Sequence, residues 1–300
     1  MSTIRSESTK QPRRIRRLTA GLATGLAALT LSACGIAPVT AFTSITAPSG
    51  GSESGVAWFA GPTADGHEVR VAVARAEGSG VHPTIVILPG SDGLRRDYVK
   101  LAQQFAAQGF DAVTGCWFRL PQIAPTDTTA IACPNAPAFT GVSEASVSAV
   151  DAIVDTAKRA TGADDAHIGI LGYSRGGGAA LLHAARTGAR YPIVDVSGMV
   201  TAQVNSLDGH GPLPTDVNVV STAGNIAAAS LLFHGTADGI VVPDQSRMMR
   251  DALVAAGRTT ALTPLNGICD GPCNHDVFAH VQSRSKIIAD SSAWLHGRLG

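Results

Sequence analysis

The chain has 300 residues, 23 Lys and Arg against 23 Asp and Glu, a formal net charge of zero, and charged residues at only 15% of the sequence. A neutral, sparsely charged chain offers no basic surface to a polyphosphate backbone, which sets nucleic acid aside as a partner. With 45% hydrophobic residues and 33 glycines, it has material for one large core with many tight turns, and the roughly 266 residues after Cys34 suit a single α/β domain better than two.

Residues 1–17 are polar and basic, with Arg13, Arg14, Arg16 and Arg17 clustered. Leu18 to Leu31 is apolar, small and uncharged, and runs into Leu31-Ser32-Ala33-Cys34. A basic region, a short apolar core and small residues before a cut describe an export signal. The core is shorter than the ~20 residues that span a bilayer, which argues against an uncleaved anchor. Leu-Ser-Ala-Cys resembles the bacterial lipobox. The resemblance implies a signal peptide over 1–33, a lipid on Cys34 as the new N-terminus, and an outward-facing place on the membrane of the cell envelope. The arginine pairs fit a twin-arginine signal poorly, so the general secretory route is preferred. Residues 34–54, rich in Gly, Ser, Thr, Pro and Ala, read as a flexible tether ahead of a catalytic domain over 55–300.

Within that domain, Gly55 to Ala60 and Glu68 to Glu77 are predicted strands, the second alternating Val69, Val71 and Val73 with smaller or polar residues. Thr84 to Leu88 is a fully apolar strand, followed by the loop Pro89-Gly90-Ser91-Asp92-Gly93. Tyr98 to Gln108 is an amphipathic helix (Leu101, Phe105) stopped by Gly109. Phe110 to Trp117 is the next strand, and the proline-rich stretch Phe118 to Gly141 is irregular. Ser143 caps a helix that runs to Thr161 and ends at Gly162. His167 to Leu171 is a strand leading into Gly172-Tyr173-Ser174-Arg175-Gly176-Gly177, and a small-residue helix follows to Arg186. Tyr191 to Val196 is a buried strand and Gly198 to Gly224 a polar loop. Ser230 to His234 is a strand, Pro243 to Ala256 a helix, Thr260 to Leu265 the last strand, and His275 to Leu295 the C-terminal helix. Apolar strands alternating with helices predict a parallel sheet covered on both faces. Ser91, Ser174 and Asp238 each follow a strand, so all three are expected at its carboxyl edge, where such sheets bind ligands.

The chemistry centres on Gly172-x-Ser174-x-Gly176. A serine on a sharp strand-to-helix turn sits in a strained backbone, and its neighbours two before and two after must lack bulky side chains. A plain βα turn with a solvated serine is the alternative. A serine hydroxyl is not a nucleophile until a base takes its proton, and the base needs a carboxylate to orient it. Asp238 follows a short apolar strand and a Gly-Thr-Ala turn, while Asp244 is better placed than Asp238 to cap the next helix. Of the later histidines, His275 lies in the loop after the last strand, His280 inside the predicted helix and His296 near the terminus. His234 and His183 read as structural.

From about Val56 to its end the chain resembles the α/β-hydrolase superfamily. The doubled glycine of the elbow, the loop His234-Gly235-Thr236-Ala237-Asp238 and the late histidine carry the resemblance, which points to the dienelactone-hydrolase-like and prolyl-oligopeptidase-like branch. It implies an α/β-hydrolase fold, with a mostly parallel eight-stranded sheet and helices on both faces. It also implies the chain order Ser174, Asp238, His275 for a catalytic triad. Matching Pro89 to Gly93 to the family's His-Gly-x-x-Gly loop, with proline in place of histidine, assigns the Ser91 N–H as one oxyanion donor. The other is the N–H of Arg175. Typical dienelactone hydrolases carry a cysteine where this chain has Ser174 and an acidic residue in the oxyanion loop. Neither is matched here, so ordinary carboxylic esters are the expected substrates. There is no room for the propeller of prolyl-oligopeptidase relatives. No cofactor or metal is required. A peptidase or amidase with the same triad, and a non-catalytic surface binding module on the same fold, are the alternatives.

Four further cysteines in an exported chain imply two disulfides, and of three possible pairings the local ones, Cys116–Cys133 and Cys269–Cys273, are preferred. A metal held by Cys269, Cys273 and His275 fits no common zinc spacing. Trp117, Phe118 and Arg119 are weighed as substrate contacts against a core role.

Overall fold

The computed structural model describes residues 40–120, 126–138, 141–202 and 217–299. Cys34 and the expected signal peptide lie outside these residues. Among the described residues, nine strands form one sheet: β1 (Thr43–Ile45), β2 (Val56–Pro62), β3 (Glu68–Ala74), β4 (Thr84–Leu88), β5 (Asp111–Gly115), β6 (Ile168–Tyr173), β7 (Ile193–Val196), β8 (Ser230–Gly235) and β9 (Thr260–Leu265). Their spatial order is β1-β2-β3-β5-β4-β6-β7-β8-β9. The pairs from β1 through β3 to β5 are antiparallel and every pair from β5 to β9 is parallel. The described residues also form five α-helices: α1 (Arg96–Ala106), α2 (Glu144–Thr161), α3 (Arg175–Thr187), α4 (Asp244–Ala255) and α5 (Val281–Leu299), with a 3₁₀ turn at Val219–Asn225.

The period-two pleat sorts each strand between two apolar layers. On β4, Val86 and Leu88 face a layer built with α2, α3 and α4 (Val150, Ile153, Leu181, Met249). Ile85 and Ile87 face the opposite layer, built with α1 and α5 (Phe105, Ile287, Leu295). Burial on both faces is what makes these strands read as unbroken apolar runs. Helix α2 begins at Ser143 through a capping box closed by Ser146, and ends at Gly162 with φ +82°.

Three expectations are corrected. The sheet has nine strands rather than eight, because Thr43–Ile45 pairs with Ala60–Trp58. Part of the span read as a tether is thus docked: Gly51 accepts from the Trp58 indole (3.1 Å) and Gly50 from Arg96 (2.8 Å). Short polar runs carry no periodicity, so a three-residue edge strand is silent in sequence. The C-terminal helix starts at Val281, not His275. The His275 carbonyl accepts from Tyr173 Oη and Val277 N–H, and residues 277–279 form a turn, which leaves His280 just ahead of the helix.

One buried acid has no ion-pair or hydrogen-bond partner among the described residues. Asp195, on β7, is fully inaccessible and both its carboxylate oxygens are unbonded. A Cβ on Gly177 or on Gly198 would collide with its carboxyl. Burial pushes its pKa from 3.8 up to about 7, against the opposing field of His234. The folded state therefore holds a proton that the unfolded chain releases near pH 4. Each pH unit across that interval removes about 1.4 kcal/mol of stability. We expect Asp195→Asn to flatten the fall in unfolding free energy between pH 4 and 7, and to be the more stable protein at pH 8. Equal slopes for the two proteins in urea titrations across this range would show that Asp195 is not the proton carrier.

Candidate active site

The elbow is built from glycines because backbone fills the space around it. Ser174 has φ +53° and ψ −118°, a region that L-residues enter only when their surroundings force them. A Cβ on Gly172 would strike the Gly176 carbonyl, one on Gly176 the Leu88 carbonyl, and one on Gly178 the Met199 carbonyl. The strained residue is clamped by Ser174 N–H to Val196 O (2.8 Å), and by N–H groups of Gly177 and Met199 on its carbonyl (both 3.0 Å). Ser174 occupies the N-cap position of α3, yet its hydroxyl makes no cap bond. It faces His275 instead, with Oγ 3.0 Å from Nε2.

His275 Nδ1 lies 2.7 Å from Asp238 Oδ2. A carboxylate only accepts, so the ring proton sits on Nδ1 and the Nε2 lone pair points at the Ser174 hydroxyl. Asp238 is 1% exposed. Its Oδ1 accepts the N–H groups of Ile240 and Val241, each at 2.9 Å. Burial raises the Asp238 carboxyl, but bonds from His234 and His275 and the field of both rings outweigh it and hold the pKa at about 2. The acid is therefore ionised at neutral pH. The structural reading of His234 fits its contacts. Nε2 donates to Val241 O (2.7 Å), so Nδ1 accepts from Ser246 Oγ (2.6 Å). His183 is wholly buried, with Nε2 3.2 Å from Asp151.

The acid and histidine loops touch backbone to backbone. A Cβ on Gly235 would collide with the Asn274 and Cys273 carbonyls, and Ala237 N–H donates to Cys273 O at 2.9 Å. Cys269 and Cys273 stand at disulfide distance, with Cα atoms 5.2 Å apart. So do Cys116 and Cys133, at 6.3 Å, joining the end of β5 to the irregular stretch that follows. Tyr173 contributes a contact the sequence did not announce. Its hydroxyl donates to His275 O (2.8 Å) and its ring lies 5.2 Å from the imidazole, nearly parallel. Burial and the fields of Asp276, Asp92 and Asp238 push its hydroxyl well above the usual range, so it remains a donor.

The loop after β4 lies against the elbow. Ser91 Oγ is 3.1 Å from Arg175 Nε. The loop does carry an acid: Asp92, whose Oδ1 accepts from Tyr98 Oη at 2.9 Å. The site a Gly90 Cβ would occupy is 3.3 Å from Ser174 Cβ and 3.4 Å from Asp92 Oδ1, so the acid and the serine both lie against Gly90. It also lines a cleft of about 480 Å³ together with Arg95, Tyr98, Tyr173, Asp276 and Phe278. Trp117 and Phe118 pack edge to face at 4.5 Å in the core, and Trp117 Nε1 donates to Pro89 O (3.0 Å). Trp117 thereby ties the start of the loop to the core. Among the described residues, no three His, Cys, Asp or Glu side chains are gathered for a metal.

A model of the dienelactone hydrolase family matches residues 69–267. No curated protein matches in sequence. Among solved structures, a putative dienelactone hydrolase from Klebsiella pneumoniae is similar at 20% identity and TM-score 0.61, over 80% of this chain and 98% of that one. A dienelactone hydrolase-like promiscuous phosphotriesterase from metagenomic libraries is similar at 17% identity and TM-score 0.58, over 87% and 100%. An acylaminoacyl peptidase from Pyrococcus horikoshii is similar at 16% identity and TM-score 0.62, over 81% of this chain and 42% of that one. These likenesses are likenesses of fold.

The Cys269–Cys273 ring is too small to remove much chain entropy, but Cys273 is two residues from His275 and hydrogen-bonded to the acid loop. Misplacing a catalytic group by about 1 Å costs on the order of a hundredfold in rate. Replacing both cysteines by serine is expected to lower kcat far more than it lowers the melting temperature. A large loss of melting temperature with kcat intact would contradict this role for the ring.

Proposed function

Because the chain belongs to the dienelactone hydrolase family, we propose that this hydrolase is an exported, lipid-anchored enzyme that cleaves carboxylic esters through an acyl-enzyme. The observation that carries the reading is the continuous hydrogen-bonded line from Ser174 Oγ through the His275 ring to Asp238. In this reading Ser174 Oγ attacks the ester carbonyl as its proton passes to His275 Nε2. The N–H groups of Ser91 and Arg175 take the negative charge that forms on the carbonyl oxygen. Asp238, fixed by two backbone donors, holds the ring in one tautomer and stabilises the imidazolium. Collapse breaks the bond to the alkoxy group, which leaves with the proton from Nε2. Water then repeats the sequence on the acyl-enzyme and releases the acid. A hydroxyl nucleophile in place of the family's usual thiol supports simple carboxylic esters as substrates. The Leu-Ser-Ala-Cys sequence supports a lipid on Cys34 as the link to the membrane.

Ser174→Ala is expected to lower ester hydrolysis by several orders of magnitude while leaving the fold intact, and to abolish labelling by a fluorophosphonate probe. Near-normal turnover by folded Ser174→Ala protein would refute the nucleophile. Hydrolysis of p-nitroanilides at rates matching the corresponding esters would move the reading to a peptidase or amidase.

Cys34→Ala is expected to release the mature enzyme from membranes or to block its processing. Mass spectrometry that finds an unmodified Cys34 in the mature membrane-bound protein, or a cut elsewhere in the leader, would remove the anchor from the proposal.

A further inference from the structure

An oxyanion hole made of two backbone N–H groups works only if their separation is fixed, and here the two donors sit on different loops. Ser91 follows β4 and Arg175 follows β6. The ties of the β4 loop run mostly to its own side of the sheet. Trp117 Nε1 holds Pro89 O, Tyr98 Oη accepts from Gly90 N–H and donates to Asp92, and Arg95 Nε holds Asp92 O at 3.2 Å. The side chain of Ser91 reaches across to the elbow, where its hydroxyl accepts from Arg175 Nε at 3.1 Å. The partner is an unusual one. Arg175 is 2% exposed and heads the fully buried large side chains of the protein. A buried guanidinium is costly and persists only where its bonds compensate.

Resting on the serine-hydrolase reading, we propose that the Arg175 side chain and the Ser91 hydroxyl form a clamp that sets the spacing of the two oxyanion donors. Both act as positioning residues through their side chains, separately from the N–H groups that touch the substrate. The hydrogen bond joins the two donor residues to each other, so the gap between their N–H groups cannot widen without stretching it. The guanidinium is planar, and Nε donates along one fixed direction, which suits a spacer better than a flexible ammonium. The binding of ground-state substrate, whose carbonyl is only weakly polarised, depends little on this spacing. The tetrahedral oxyanion depends on it strongly.

Ser91→Ala is the test, because it removes the hydroxyl and keeps the backbone N–H at an exposed loop position. The expected result is a fall in kcat of roughly ten- to hundredfold with KM changed less than twofold and the melting temperature unchanged. The affinity for an alkyl boronic acid, which forms a tetrahedral adduct on the serine, should weaken by the same factor as kcat. Ser91→Thr, which restores a hydroxyl, should recover most of both. Arg175→Gln in the Ser91→Ala background should add much less than it does alone. Should Arg175→Gln fail to fold, the serine variants and the boronate decide. Unchanged kcat in Ser91→Ala, or a fall in kcat with boronate affinity intact, overturns the clamp. Failure of the serine-hydrolase reading looks different: the unaltered protein neither hydrolyses esters nor binds the boronate, and the clamp falls with it.

Discussion

The left-handed backbone at Ser174 is the constraint on which the site depends. A non-glycine residue at φ +53° is held there only because its amide and carbonyl are bound on three sides and because backbone from β4, β7 and α3 crowds in around it. That crowding requires glycine at 172, 176 and 178. It also places the Leu88 and Pro89 carbonyls, at the start of the β4 loop, against the elbow. The hydroxyl is expelled from the capping role that its position offers and turned toward His275. The strain is thus tied to the geometry of the line from Ser174 to Asp238.

Two aspartates show how one sheet edge and one sheet interior treat the same group. Asp238 lies past the end of β8, where a turn supplies two N–H donors and two histidines. Its charge is stabilised despite burial. Asp195 lies within β7, where the strand's own pairing consumes the backbone donors, and burial raises its pKa to about 7. Position relative to the strand end, rather than depth, separates the acid whose pKa is lowered from the one whose pKa is raised.

Much of this was legible in the sequence. The unbroken apolar run Thr84 to Leu88 has the length and flanking turns of a buried strand, while Thr260 to Leu265 is a half-exposed edge strand bounded by turns, and both fall where expected. Ser143 and Gly162 mark the ends of α2 by chemistry that is local to the chain. Ser174, Asp238 and His275 each follow a strand, so the parallel order brings them to one edge. Other features depend on contacts that no window of sequence contains. β1 exists because β2 offers it an edge. The start of α5 is delayed because Tyr173, 102 positions earlier, takes the His275 carbonyl. Asp92 stood in plain view in the β4 loop, yet only the fold shows that it and Ser174 share Gly90 as a neighbour. The link between Arg175 and Ser91 likewise spans 84 positions.

The doubled glycine of the elbow has a consequence for how this sequence can change. Gly172 and Gly176 answer to backbone, and no replacement elsewhere releases them. Gly177 answers to a side chain, since the atoms a Cβ would meet first belong to Asp195, which also fills the space beside Gly198. Positions 177, 195 and 198 are therefore coupled by a single volume. A mutational path that enlarges either glycine is open only after Asp195 has become smaller, and a path that begins with the glycine is closed at its first step. The order of substitutions, and not merely their sum, decides which descendants of this elbow can fold: a case of sign epistasis written into about one carboxyl group of space.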